Sequence, residues 1–215
     1  MPAPEDVADR PESWPVHDVE QIWQGPAPFS VRRDLISAPG RPEEHFGRLV
    51  LEHPGAVVVL ALDERERALV LHQYRHPARR RFVELPAGLL DVKGEDPLAA
   101  ARRELQEEAL LLAGRWDHLF TTWSSPGLSS ETIAYYVARD LSAAADRGGF
   151  EPEHVEADMT LAWVPLDDLV EGVRDGRVGD GPTAAAVLGY RLFGHRLGDG
   201  RPGGRVAGHR EEPGR

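Results

Sequence analysis

The segment 97–114, PLAAARRELQEEALLLAG, constrains the fold of this chain more than any other. Asp96 suits the N-cap of a helix there, and Pro97 suits its first turn, where the missing N–H is not needed. Leucine and alanine recur at helical spacing among strong helix formers. The segment therefore predicts a helix from Pro97 that buries one apolar face, with Gly114 as its C-terminal cap.

Three glutamates, Glu104, Glu107 and Glu108, fall on about one turn of that helix. Like charges four residues apart destabilise an isolated helix by about 0.2–0.5 kcal/mol. One interpretation is a solvated face, on which Arg103 and Glu107 form a weak surface pair. The other is an all-oxygen site for a hard cation such as Mg²⁺, Mn²⁺ or Ca²⁺, with substrate phosphates as further ligands.

Apolar and alternating segments predict strands before and after the helix. The run 56–62, AVVVLAL, is typical of a buried strand, and 67–75 follows across a polar turn, so we predict that the two form a hairpin. Short alternating pieces within 19–51 predict a small N-terminal sheet. Further strands are predicted at 81–86, 117–123, 131–140 and 160–166, and further helices at 166–176 and 182–197.

Bulk composition limits the possible functions. The chain has 215 residues, enough for one sizeable core and a small appended element, and a net charge of −11 that disfavours nucleic-acid binding. It has no cysteine, which excludes disulfides and thiolate chemistry. Its acidic, proline-rich start is unlike a secretory signal, and no apolar run approaches the ~20 residues of a membrane span. We therefore expect a cytoplasmic protein without a membrane partner.

The segment 84–111 resembles the Nudix box, the signature of the Nudix hydrolases. Gly88 opens the motif, and Glu95 stands seven residues before the run Arg103-Glu104-Leu105-Gln106-Glu107-Glu108. Two positions depart from the family pattern. The loop between Gly88 and Glu95 has one extra residue, and Leu110 replaces the usual glycine. We expect that the helix consequently continues to Gly114.

The resemblance implies a fold and a metal site. The fold is α/β, a Nudix α/β/α sandwich with a mixed sheet, preceded by a small N-terminal β element. The metal would be Mg²⁺ or Mn²⁺. The implied ligands are the Ala87 carbonyl, Glu104, Glu107 and Glu108; Glu107 and Arg103 are implied in catalysis, with Arg103 orienting the carboxylates.

Features outside the box resemble the ADP-ribose pyrophosphatase subgroup of actinobacterial type. These are Glu84 in ELPAG, Arg75 in QYRH, and Pro126, which lies 15 residues after Leu111. The resemblance implies hydrolysis of ADP-ribose to AMP and ribose 5-phosphate. Implied substrate-binding residues are Arg48, Arg75, Glu84, Pro126, Gly127 and Ser129. An ordinary turn at 126–127 and a solvated strand residue at 48 are the alternatives.

The subgroup takes its general base from a loop beyond the box, and Glu156 is the predicted base, with Glu153 and Glu151 as alternatives. Its N-terminal sheet forms a homodimer and lends residues to the partner's site. The expected organisation is a leader at 1–17, the β element at 18–55, the hydrolase domain at 56–197 and a disordered tail at 198–215. Alternative functions are hydrolysis of NADH or a nucleotide sugar, and non-catalytic binding of ADP-ribose.

Overall fold

The computed structural model describes residues 7–149 and 158–197. Two compact units divide the chain, one consisting of Met1–His53 with Gly127–Ser130, the other of Pro54–Pro126 with Glu131–Arg215. The predicted tail at 198–215 lies outside the described residues. No helix within the described part of the chain is long and apolar enough to cross a membrane.

The N-terminal unit is an antiparallel sheet of three strands in chain order, which confirms the predicted N-terminal sheet. The strands are β1 (Val16–Gln24), β2 (Ser30–Ser37) and β3 (His45–Glu52). The short segment Gly127–Ser130 pairs with β3, because the Leu51 amide donates to the Leu128 carbonyl at 2.8 Å. All nine residues of β1 are exposed, including four large apolar ones: Val16, Val19, Ile22 and Trp23.

The described residues of the second unit form two sheets and three α-helices. The elements are β4 (Ala56–Ala61), β5 (Arg67–Arg75), β6 (Arg80–Glu84), β7 (Ala87–Leu89), α1 (Pro97–Ala109), β8 (Leu111–Trp123), β9 (Thr132–Ala143), β10 (Thr160–Pro165), α2 (Leu166–Arg174) and α3 (Gly181–Phe193). The mixed sheet has the order β7-β4-β9-β8, with β4 and β9 parallel, and the antiparallel sheet has the order β10-β5-β6.

Strand β4 is covered by helices on both of its faces. Val58 and Leu60 pack in one apolar cluster with residues of α2 and α3, whereas Val57 and Val59 pack in a second cluster with residues of α1. Because successive side chains point to opposite faces, a strand covered on both sides needs an unbroken apolar run. The predicted mixed sheet between helices is therefore confirmed.

The predicted hairpin of β4 and β5 is wrong. Strand β4 pairs with β7 and β9, whereas β5 pairs with β6 and β10, so the two consecutive strands lie in different sheets. An isolated bridge between Leu62 and Ala68 joins them. The apolar pattern predicted burial correctly, but burial of this kind does not specify which strand is the partner.

The predicted end of α1 is also wrong. The helix ends at Ala109, and Leu110 adopts the left-handed conformation, with φ 54° and ψ 38°. Its amide donates to the Gln106 carbonyl at 3.0 Å. Leu110 thus terminates the helix in the conformation that glycine normally provides, at a cost of about 1–2 kcal/mol for a side chain with a Cβ. Gly114 lies within β8.

Candidate active site

Helix α1 carries the three glutamates and is fixed at its start as the sequence predicts. The Asp96 side chain accepts a hydrogen bond from the Leu98 amide at 2.9 Å, and a proline occupies the first turn. Ala101 and Leu105 are fully buried in the cluster that includes Val57 and Val59 of β4. This packing fixes the rotation of α1, so its acidic face is directed at one cavity.

Gly88 on β7 lies directly against the Glu104 carboxyl group. A Cβ at position 88 would stand 1.9 Å from Glu104 Cδ and 2.0 Å from Oε1. Glu104 is only 9% exposed, so its carboxyl group has little room to retreat. The strand and the acidic helix can approach this closely only because residue 88 has no side chain.

Arg103 connects three carboxylates of the site. Its Nε and Nη2 donate to Glu95 at 3.2 and 3.1 Å, and its Nη1 donates to Glu104 Oε1 at 2.6 Å and to Glu107 Oε2 at 3.2 Å. Glu95 precedes α1, so the guanidinium ties the loop before the helix to the helix itself. The predicted role of Arg103 in orienting carboxylates remains a proposal that this geometry supports.

Glu104 and Glu108 have different surroundings. Glu108 Oε2 accepts a hydrogen bond from the Ala87 amide at 3.0 Å, which brings helix and strand residues of the predicted metal site together. Burial raises the pKa of Glu104 to about 7, and the charges of Glu107 and Asp91 add to the effect against the opposing charge of Arg103. A buried carboxylate among others would be stabilised by a cation.

Gly88, Arg103 and the three glutamates of α1 line a cavity of about 550 Å³ within the second unit. Among the described residues, seven carboxylate side chains and two guanidinium groups line it, so its charge is strongly negative. A diphosphate could enter such a cavity only with cations. The predicted site residues that line it are Arg75, Glu84, Ala87, Arg103, Glu104, Glu107 and Glu108.

The donor set in this cavity fits a hard divalent cation, because it consists of carboxylates and backbone carbonyls. Within 7–149 and 158–197, however, no three acidic or histidine side chains are grouped so that they could hold a metal ion as they stand. Arg103 and the Ala87 amide engage oxygens of Glu104, Glu107 and Glu108.

Arg75 and Glu84, both predicted to bind substrate, form an ion pair across β5 and β6. Arg75 Nε and Nη2 donate to the Glu84 carboxylate at 2.7–3.2 Å, and the two side chains are unequally exposed, at 49% and 6%. The pair raises the pKa of Arg75. Both Glu84 oxygens accept from Arg75, whereas Arg75 Nη1 takes no part in the pair.

The remaining predicted site residues lie elsewhere. Pro126 is exposed in the turn after β8 and is not among the described residues that line the cavity. Arg48, Gly127 and Ser129 belong to the N-terminal unit, where the Arg48 guanidinium lies 4.5 Å from the centre of the Phe46 ring. The predicted base Glu156 and its alternatives Glu153 and Glu151 lie outside the described residues.

Several residues that line the cavity were not among the predicted site residues, and three of them carry polar side chains on β5 or at the start of α3. Gln73 of β5 and Asp180 and Thr183 of α3 all line the cavity. Asp180 caps α3 by accepting from the Thr183 amide at 2.8 Å, and the Thr183 hydroxyl accepts from the Leu85 amide at 3.2 Å. The Asp-Gly-Pro-Thr run could have indicated the cap, and Gln73 lies two residues before Arg75 on the same strand face.

Comparisons with known proteins agree with this geometry. Residues 52–186 match the family model described as the NUDIX domain. The chain is 41% identical over 160 residues to an ADP-ribose pyrophosphatase of Mycobacterium tuberculosis, covering 74% of this chain and 75% of that protein. It is 33% identical over 174 residues to an ADP-ribose pyrophosphatase of Bacillus subtilis, covering 80% and 90%.

A solved structure shows the same fold. The crystal structure of an ADP compounds hydrolase superposes with a TM-score of 0.71 at 18% sequence identity, covering 88% of this chain and 98% of that chain. At that identity the likeness concerns the fold alone.

Proposed function

The chain belongs to the NUDIX family, and we propose from that membership that it is a metal-dependent pyrophosphohydrolase that cleaves ADP-ribose to AMP and ribose 5-phosphate. The observation that carries the proposal is the acidic wall of the cavity, where Gly88 allows β7 to approach the Glu104 carboxyl group. The two ADP-ribose pyrophosphatase relatives support the choice of substrate.

The metal-binding residues in this proposal are Glu104, Glu107, Glu108 and the carbonyl of Ala87. Mg²⁺ or Mn²⁺ held there would neutralise the diphosphate and lower the pKa of an attacking water. Arg103 keeps the carboxylates in place through its bonds to Glu95, Glu104 and Glu107. Arg103 thus acts on the carboxylates of the site rather than on the substrate.

Proton removal from the attacking water is assigned to Glu156, by the resemblance described above. A matched test is Glu156→Gln beside Glu153→Gln and Glu151→Gln. We expect Glu156→Gln to lower kcat by orders of magnitude at nearly unchanged metal affinity, because the amide cannot accept the proton. An unaffected rate in Glu156→Gln with a loss in one of the others would move the role to that residue.

Arg75 and Glu84 are proposed to contact the substrate as a unit. Arg75 donates to Glu84 through its Nε and Nη2, whereas its Nη1 takes no part in the pair, and its side chain is half exposed. A guanidinium fixed by a buried carboxylate offers its remaining donors to phosphate or hydroxyl oxygens without losing much side-chain entropy.

We further propose that the protein is a cytoplasmic homodimer in which the N-terminal unit pairs with a second copy. The exposed apolar residues of β1 support this, because a soluble monomer rarely leaves such a strand uncovered. Arg48 would be the residue lent to the partner's site. Sedimentation of the chain beside Val19→Glu tests the dimer: the wild type should sediment as a dimer and the variant as a monomer.

Product analysis tests the function directly. Purified protein is incubated with Mg²⁺ or Mn²⁺ and ADP-ribose, NADH or a nucleotide sugar, and the products are separated by chromatography. AMP and ribose 5-phosphate from ADP-ribose, at the highest kcat/KM of the panel, are expected. A higher kcat/KM for NADH or the nucleotide sugar would refute the substrate, and tight binding of ADP-ribose without product would indicate a binding module.

A further inference from the structure

Gln73 is a polar residue whose side chain has no hydrogen-bond partner within the described part of the chain. It is 4% exposed. Its backbone pairs with Phe82 across β5 and β6, but no hydrogen bond of its side-chain amide is found among residues 7–149 and 158–197. A side-chain amide without a protein partner is left for water or a ligand to hydrogen-bond, because leaving it unpaired would be destabilising.

The side-chain amide of Gln73 is accessible from the cavity. No fully buried side-chain nitrogen or oxygen lacks a hydrogen-bond partner in the described part of the chain. The amide atoms of Gln73 must therefore reach free space, and the space that Gln73 lines is the proposed active site. A carboxamide offers two donors and an acceptor there.

The surroundings of Gln73 determine which group it can bind. Residues 71, 73 and 75 share one face of β5, and Glu84 faces that side from β6, opposite Leu71. Asp180 lines the same cavity. Arg75 on the same face offers donors to phosphate oxygens, whereas a carboxylate and a neutral amide together suit sugar hydroxyls, which both donate and accept.

We propose that Gln73 is a specificity-determining residue that hydrogen-bonds hydroxyl groups of the sugar attached to the far phosphate of the substrate. This inference rests on the proposed function for the position of the diphosphate. It adds that one neutral side chain, Gln73, supplies part of the selection for a sugar as the non-nucleoside half of the substrate.

The test replaces Gln73 by methionine, which has nearly the same shape and no amide. Two substrates are compared, ADP-ribose and the methyl ester of ADP, which has no second sugar. Gln73→Met should lose about tenfold in kcat/KM on ADP-ribose, mainly through KM, and less than about twofold on the methyl ester. Equal losses on both would place the contact on the nucleoside half and overturn the proposal, as would no loss on either.

Thermal stability separates this role from a structural one. Because the Gln73 amide has no hydrogen-bond partner among the residues that the structure describes, Gln73→Met should melt at the same temperature as the wild type or higher. The matched control is Gln106→Met, which removes a bond to the Asp146 carbonyl at 3.2 Å and should melt lower. A comparable decrease in Gln73→Met would show that the amide stabilises the fold, and would overturn the proposal.

The outcome also separates this inference from the proposed function. If the wild type cleaves a nucleotide sugar and not ADP-ribose, the proposed substrate is refuted, and the Gln73 comparison is made with that compound and the methyl ester of its nucleoside diphosphate. If ADP-ribose is cleaved and Gln73→Met discriminates as the wild type does, the inference alone is refuted. A wild type that cleaves no member of the panel refutes both.

Discussion

Replacing Glu104 by glutamine should stabilise the metal-free protein while destroying its activity. Burial raises the pKa of Glu104 from an ordinary value of 4.5 to about 7. Glutamine resembles the neutral carboxyl group, so the variant avoids the penalty of ionising this side chain in the folded state. At about 1.4 kcal/mol per pKa unit, the full penalty is about 3 kcal/mol.

The pH dependence of this gain follows from the direction of the change in pKa. Below pH 4.5 the carboxyl group is neutral in both states, so it does not affect stability. Between 4.5 and about 7 the unfolded chain ionises while the folded protein holds the proton, so the wild type becomes less stable as pH rises. The advantage of Glu104→Gln should be about 1 kcal/mol at pH 5 and about 3 kcal/mol at pH 8.

Thermal unfolding in EDTA at these two pH values is the assay. For a chain of this size, 3 kcal/mol raises the melting temperature by about 6–12 °C. Glu107→Gln is the matched control, because Glu107 shares the Arg103 partner but is less buried. If Glu104→Gln exceeds the wild type by the same amount at pH 5 and pH 8, the carboxyl group is not held in its neutral form, and the reasoning fails.

Three further variants test the geometry of the site. Glu108→Gln should fold normally, because the amide oxygen can still accept from the Ala87 amide, while hydrolysis falls by orders of magnitude in a product assay. Gly88→Ala should lower unfolding stability by about 1–3 kcal/mol in denaturant titration and reduce kcat/KM, because its Cβ overlaps Glu104. An unchanged rate in either variant would contradict the site. Leu110→Gly should raise the melting temperature by about 2–8 °C, because a left-handed residue loses its strain; a decrease would contradict that account.

The sequence predicted the elements whose signals are local. Asp96 and Pro97 mark the start of α1, and the structure confirms both the cap and the boundary. Once this helix forms, the spacing of Glu104, Glu107 and Glu108 puts their side chains on neighbouring positions of one helix face. In the structure all three line the same cavity. A helix repeats every 3.6 residues, and such periodicity relates sequence positions to directions in space without reference to the rest of the chain.

The missed features depend on contacts between distant segments. Leucine rarely adopts the left-handed conformation, so the residue type at position 110 did not indicate the helix end; the Leu110 carbonyl also accepts from the Ala144 amide at 2.9 Å, a contact 34 positions away along the chain. Strand β4 pairs in parallel with β9, more than 70 residues later, which its own apolar pattern could not indicate. Gln73 is one polar residue in a buried strand, and only the cavity explains it.

The contacts of Arg103 have a consequence for ion selectivity. Any cation that reaches Glu104 and Glu107 must compete with a positive charge that already belongs to the protein. A monovalent ion would replace the single positive charge of Arg103 by another single charge, and it would lose its hydration shell in doing so. A divalent ion brings twice the charge to the same oxygens. In the proposed metal site the guanidinium would therefore compete with bound cations, and the acidic cavity would discriminate against monovalent ions such as K⁺ and Na⁺.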